Sequence, residues 1–206
     1  AALLASSALM LSACGGSGGG GGGAATSVSG VAATGAAIVG GTVTAICADT
    51  NTYPAAAATA GSGSYTISGI PAAAFPCALE ISYGTPAQTL HSYATGNGTV
   101  NITPLTDLTL ALATSTDPAA WFAAFDGTPV DLTLPTASLL GALSTHGFTL
   151  PAGNPFTTRF TANGAGWDRL LDSLQQSIDD SATIADYAAL VALVQAGDLV
   201  SLPAAP

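Results

Sequence analysis

Gly98-Thr99-Val100-Asn101-Ile102-Thr103-Pro104-Leu105-Thr106-Asp107-Leu108 is the stretch on which the fold of this chain turns. Up to Ile102 the residues are β-branched and bounded by glycine and asparagine, a strand pattern. At Pro104 the ring forbids continuation of a sheet ladder but suits the first turn of a helix, whose N–H has no partner in any case. Thr103, just ahead of it, is the expected N-cap. The stretch therefore reads as a strand-to-helix switch, and the chain on its two sides should belong to different structural classes.

Working back from the switch, Ser27 to Val31, Thr42 to Cys47, Ser64 to Ile67 and Cys77 to Tyr83 read as strands. Gln88 to Tyr93 and Thr99 to Ile102 are candidates for two more. Alternation puts Val43, Ala45 and Cys47 on one face of the second strand, and Cys77, Leu79, Ile81 and Tyr83 on one face of the fourth. Short strands at a spacing of roughly 10 to 15 residues, with turn residues between them, indicate an antiparallel β-sandwich over residues 26–103.

Working forward, the period becomes helical. Asp117-Pro118 is a cap followed by proline, and it leads Trp121, Phe122 and Phe125 onto one face. Ser138 to Leu143 is a second short apolar segment, ended by Gly147. Trp167, Leu170, Leu171, Leu174 and Ile178 recur at amphipathic helical spacing. Thr183 to Asp186 reads as a weak capping box, after which Tyr187, Leu190, Val191 and Val194 carry a last helix to Gly197. The whole is an α+β chain in which an N-terminal antiparallel β-sandwich is followed by a small all-α region of about four short helices over residues 104–206. Each apolar face reads as core rather than as a ligand cradle.

Composition narrows function by exclusion. The 206 residues include 12 acids and only two basic residues, Arg159 and Arg169, for a net charge of −10. No basic surface is left to meet phosphates, which argues against a nucleic-acid partner. Electrostatic docking to anionic lipid is disfavoured for the same reason. Charged residues are 7% of the chain, against ~25% for an average soluble protein.

Residues 1–13 are uncharged and apolar, too short to span ~30 Å of hydrocarbon as a helix. Their length and character fit the h-region of a signal peptide. With no initiator methionine and no basic n-region, the sequence is expected to start inside that leader. It runs into Leu11-Ser12-Ala13-Cys14-Gly15, which resembles the lipobox of bacterial lipoproteins. The resemblance implies diacylglyceryl transfer to the Cys14 thiol, cleavage after Ala13 and acylation of the new amine. Several acyl chains, at ~0.8 kcal/mol per buried CH₂, make a durable membrane anchor. The same resemblance, with Gly15 rather than Asp after the cysteine as in enterobacterial lipoproteins of the outer membrane, implies that membrane. Residues 14–25 then form a tether of Gly, Ala and Ser with a reach of roughly 20 Å. Gly15-Gly16-Ser17-Gly18-Gly19 matches the nucleophile-elbow pattern in form, but a glycine coil lacks the strand and helix that motif needs.

Val28-Ser29-Gly30, Gly41-Thr42-Val43-Thr44-Ala45 and Gly63-Ser64-Tyr65-Thr66-Ile67-Ser68-Gly69-Ile70-Pro71 resemble the carboxypeptidase regulatory-like, or transthyretin (prealbumin)-like, sandwiches of bacterial surface proteins. The segment Ile102-Thr103-Pro104-Leu105-Thr106-Asp107-Leu108 is similar to one that follows a β module in uncharacterised proteobacterial lipoproteins. The stretch from Asn154-Pro155-Phe156 through Asn163-Gly164 to Asp168 and Asp172 resembles a second recurrent segment of the same proteins. These resemblances imply a fold and an address rather than a task.

With Cys14 lipidated, two cysteines remain, Cys47 and Cys77, both on inward-facing strand positions. In an oxidising compartment they should form a disulfide. Closing a loop of about 31 residues contributes roughly 3 to 4 kcal/mol on the chain-entropy estimate. A metal pair or a redox pair is the alternative, but neither cysteine has a second Cys or a His at ligand spacing and there is no C-x-x-C.

Candidate chemistry is sparse. His91 and His146 are the only histidines. Asp168 and Asp172 lie four apart on one helix face, where they could hold a cation or do acid–base work; the reading adopted is a solvated face neutralised locally by Arg169. No catalytic residue, cofactor or metal site is assigned, and no zinc-protease, nucleotide-binding or Schiff-base motif is present. The sequons at Asn97 and Asn101 carry little meaning in a bacterial protein. Two functions follow as expectations: a lipid-anchored envelope module that binds or supports, with protein or glycan ligands, or a hydrolase or accessory domain acting on envelope polymers through Asp168, Asp172 or a histidine.

Overall fold

The computed structural model describes residues 25–55 and 59–206. Cys14, the leader expected before it and the tether expected after it, as far as residue 24, lie outside the described residues. Seven strands and five α-helices are present among them, strands first and helices second.

Two sheets precede the switch. The first orders its strands β4 (Ser64–Pro71), β1 (Ala25–Val31), β7 (Gly98–Thr99), and the second orders β3 (Thr52–Pro54), β2 (Thr42–Cys47), β5 (Cys77–Tyr83), β6 (Gln88–Ala94). Their apolar residues share one core, with Val28, Tyr65 and Ile67 from the first sheet and Val43, Leu79, Ile81 and Leu90 from the second. Cys47 stands directly opposite Cys77 across the β2–β5 ladder, and the two are joined as a disulfide.

Three details differ from the sequence reading. The last strand is shorter than Thr99 to Ile102, and it pairs parallel to β1, whereas every other ladder is antiparallel. Beyond Thr99 the chain keeps running alongside β1, with Val100 N–H donating to the Ser29 carbonyl and Ile102 N–H to that of Val31. Asn101 N–H, on the opposite edge by strand alternation, donates to Phe156 O at 2.7 Å. Gly30 is required here: a Cβ at that position would run into the Val100 carbonyl. The edge strand β3 was not expected; three residues are too few to show alternation, and its Pro54 suits an edge.

After the switch come α1 (Pro104–Thr114), α2 (Pro118–Ala123), α3 (Thr133–Thr145), α4 (Trp167–Asp179) and α5 (Tyr187–Gln195), five helices where about four were expected. Thr103 caps α1 as expected: its Oγ1 accepts from Thr106 N–H while Thr106 Oγ1 accepts from Thr103 N–H, a reciprocal box. Asp117 caps α2 through Ala119 and Ala120. Helix α3 starts five residues before Ser138 because Pro135 falls in its first turn, where a missing N–H costs nothing. Thr183 does not cap α5; Asp186, the fourth residue of the expected capping box, is itself the N-cap and accepts from Ala189 N–H.

Helix α1 is buried from Pro104 through Ala111, because it lies between β6 on one side and α3 and α5 on the other. Leu105 and Leu108 join Leu139, Trp167, Leu171, Leu174 and Leu190 in a second core. A third, smaller cluster gathers Tyr93, Leu110 and Phe156, with Trp121 and Phe125 against it.

Candidate functional site

Glu80 on β5 and His91 on β6 are directly opposed across an antiparallel ladder. Since Leu79, Ile81 and Leu90 face the core between the sheets, Glu80 and His91 face the other way, towards the helices. There the sheet meets the first turn of α1. Asp107 Oδ1 lies 2.7 Å from His91 Nδ1 and also accepts the His91 backbone N–H at 2.9 Å. Glu80 Oε2 lies 3.2 Å from His91 Nε2. Tyr187, at the start of α5, donates its hydroxyl to Asp107 Oδ2 at 2.9 Å. Thr106 Oγ1 donates to the His91 carbonyl, so the backbone of this residue is held on both sides.

The group is almost dry: His91 and Asp107 are 2% and 3% exposed. The His91 ring lies against Phe122 of α2. Burial, followed by the Asp107 charge, pushes the Tyr187 hydroxyl well above the ordinary tyrosine range. Tyr83 is pushed up for the same two reasons. A recess of about 190 Å³ opens over Thr89, His91, Asp107, Asp117 and Tyr187.

Chemically the arrangement is closed on itself. Both imidazole nitrogens are within hydrogen-bond reach of a carboxylate, so neither is presented to a nucleophile. Among the described residues no serine, threonine or cysteine side chain is hydrogen-bonded to the ring. His91 sits between the two carboxylates, and no trio of His, Cys, Asp or Glu among the described residues is arranged to hold a metal ion. What the group does is join four elements, β5, β6, α1 and α5.

The residues singled out from sequence are placed as follows. His91 is in this group, and none of its ring partners is His146, Asp168 or Asp172. His146 is the C-cap of α3, and its carbonyl accepts from Ala205 N–H. Asp168 is not on a solvated face: it is 1% exposed, its Oδ2 accepts Gly164 N–H at 2.6 Å, and its Oδ1 has no partner. Nor does Arg169 neutralise the pair, because the only carboxylate ion pairs among the described residues involve His91. Asp172 is exposed and lies against the turn at Gly35; burial, then the Asp168 charge, raises its carboxyl above the usual range. Two side chains are too few to hold a hard cation by themselves. Cys47 and Cys77 pair as expected.

Glu80, Asp107 and Tyr187 were missed. The Glu80–His91 pairing could have been found from the hairpin register, since the β5 and β6 runs flank a short turn. Asp107 was visible only as an acid in the first turn of a helix. Compared with family models, curated proteins and solved structures, the chain has no significant match.

Proposed function

We propose that this chain is a lipid-anchored binding or structural module of the bacterial envelope, without a catalytic role. The observation that carries the reading is the closure of the His91 group: the one histidine set among carboxylates has both ring nitrogens engaged and, among the described residues, no hydroxyl or thiol hydrogen-bonded to its ring. Such a group serves to fix the helical half against the sheet. In this reading the two sheets form a β-sandwich of the carboxypeptidase regulatory-like type, and residues 104–206 form the helical part attached to it. The Cys47–Cys77 bond supports export to an oxidising compartment. Attachment is through Cys14 to a membrane, with the outer membrane favoured, and no helix among the described residues is long and apolar enough to cross one.

The alternative, a hydrolase or accessory domain for envelope polymers, draws support from the partnerless buried oxygen of Asp168. One pair of experiments separates the two. Radiolabelled palmitate should enter the wild-type chain and not a Cys14→Ser variant; equal labelling of both would remove the anchor from the proposal. The Cys14→Ser chain, incubated with purified cell-wall polymers, should release no reducing ends or free amines above a blank. Release that is lost in Asp168→Asn would establish the hydrolase instead.

A further inference from the structure

A second recess, larger than the one over the His91 group, lies where the end of β6, the start of α3 and the 154–157 turn meet, and it has a volume of about 470 Å³. That is within the ~300–1,000 Å³ range of small-molecule sites. Its floor is apolar, formed by Tyr93 and Phe156 of the third core cluster with Leu132 beside them. Polar groups stand around this floor with hydrogen-bonding capacity to spare. Thr136, 8% exposed, has a buried Oγ1 with no partner, a state that costs ~1–3 kcal/mol until something bonds to it. Tyr93 Oη accepts from Val130 N–H, which leaves its own proton to give. Asn154 Oδ1 accepts from Phe156 N–H, which leaves its amide N–H groups to give. Asp131 Oδ1 accepts from Thr133 N–H, and the other oxygen can still accept.

The lining contains no arginine, lysine or histidine. An anionic ligand would find no counter-charge, and it would face Asp131, whose carboxyl is held below the usual range by its bonds from Thr133. A wholly apolar ligand would cover the Tyr93 proton and the Asn154 amide without giving either a partner. A pyranose ring satisfies both demands, since it offers a face of C–H groups to the apolar floor and a rim of hydroxyls to the surrounding donors and acceptors. We propose that this recess is a binding site for a neutral sugar, one or two rings of a glycan. The proposal rests on the binding-module reading above and names its ligand class.

The test uses the full chain carrying Cys14→Ser, with cellobiose, maltose and N,N′-diacetylchitobiose as probes. Glucuronate and octanol serve as the anionic and apolar comparators. Binding is read by calorimetry and by saturation-transfer NMR. At least one disaccharide should bind with a Kd on the order of millimolar, and glucuronate should not bind. Thr136→Val keeps the shape of the wall and removes the hydroxyl, and Asn154→Asp keeps the turn acceptor and removes the donor. Each should weaken the sugar at least about five-fold, roughly 1 kcal/mol, while the thermal melt of Thr136→Val stays level or rises. Absence of binding by all three disaccharides overturns the proposal, as does binding unchanged in both variants. Octanol bound in place of sugar overturns the sugar proposal while leaving the binding-module reading intact. Cleavage of a bound disaccharide overturns the module reading itself.

Discussion

Asp107 Oδ1 holds His91 twice, through the ring Nδ1 at 2.7 Å and through the backbone N–H at 2.9 Å. One carboxylate thus fixes both the position of a strand residue and the orientation of its side chain, from a helix that begins five residues beyond the last strand. The same carboxylate receives the Tyr187 hydroxyl, so its removal takes the acceptor from the His91 backbone and ring in a dry site and leaves Tyr187 only the Pro104 carbonyl at 3.3 Å.

Asp107→Ala should therefore destabilise the fold by about 3 to 5 kcal/mol, the range for breaking a buried polar or ionic network from one side. Tyr187→Phe, which removes only the hydroxyl, should cost about 1 kcal/mol. Urea unfolding of the three proteins decides the matter; a loss below about 1 kcal/mol for Asp107→Ala is incompatible with a brace.

Reduction of the Cys47–Cys77 bond, or the double change to alanine, should lower stability by about 3 to 4 kcal/mol on the chain-entropy estimate. A melt with and without reductant measures this. The double variant should lose all sensitivity to the reductant.

Gly30→Ala should be among the most damaging single changes in the sheet half, since its methyl group meets the Val100 carbonyl rather than a movable side chain. We expect about 3 kcal/mol or more, because neither backbone can withdraw without breaking the β1–β7 pairing. A melt indistinguishable from wild type would show that the two strands separate easily.

Burial raises the Tyr65 hydroxyl far above its ordinary range, and it donates to the Val100 carbonyl at 2.6 Å. Tyr187 is raised as well. A group whose folded pKa lies above its unfolded one stabilises fully below the unfolded value and loses that contribution as pH rises towards the folded value. Stability should therefore fall above pH ~10. Tyrosinate absorbance and loss of sheet circular dichroism should appear together, and Tyr65→Phe should flatten the alkaline fall.

Asp172 runs in the same direction at the acid end. With its carboxyl raised by burial and by Asp168, its ionisation weakens the fold as pH rises through the folded value. Asp172→Asn should accordingly be neutral or stabilising at pH 7, by no more than about 0.5 kcal/mol given how much water screens an exposed side chain. Clear destabilisation would mean that the ionised carboxylate has a favourable partner.

Features whose cause is local were legible in the sequence. Thr103 and Pro104 announce a helix start through atoms within three residues, and Asp117-Pro118 does the same. Cys47 and Cys77 were readable because alternation alone puts both inside. The parallel return of residues 98–102 along β1 was not, because its partner is 70 residues away in the chain. The His91 group was half-visible for a related reason. The histidine stood out, but Tyr187 reaches Asp107 across a separation of 80 residues, and no periodicity encodes that. Asp168 was misjudged because helical spacing gives the face of a residue and says nothing of the loop at Gly164 that closes over it.

The position of β1 has a mechanical consequence. Any pull on the chain ahead of Ala25 enters the fold through a strand bonded along both edges, to β4 on one side and β7 on the other. Because sheet hydrogen bonds run across the strands, a force along β1 loads them side by side in shear instead of opening them one at a time from an end. The first strand is thus placed to pass tension into both of its neighbours at once.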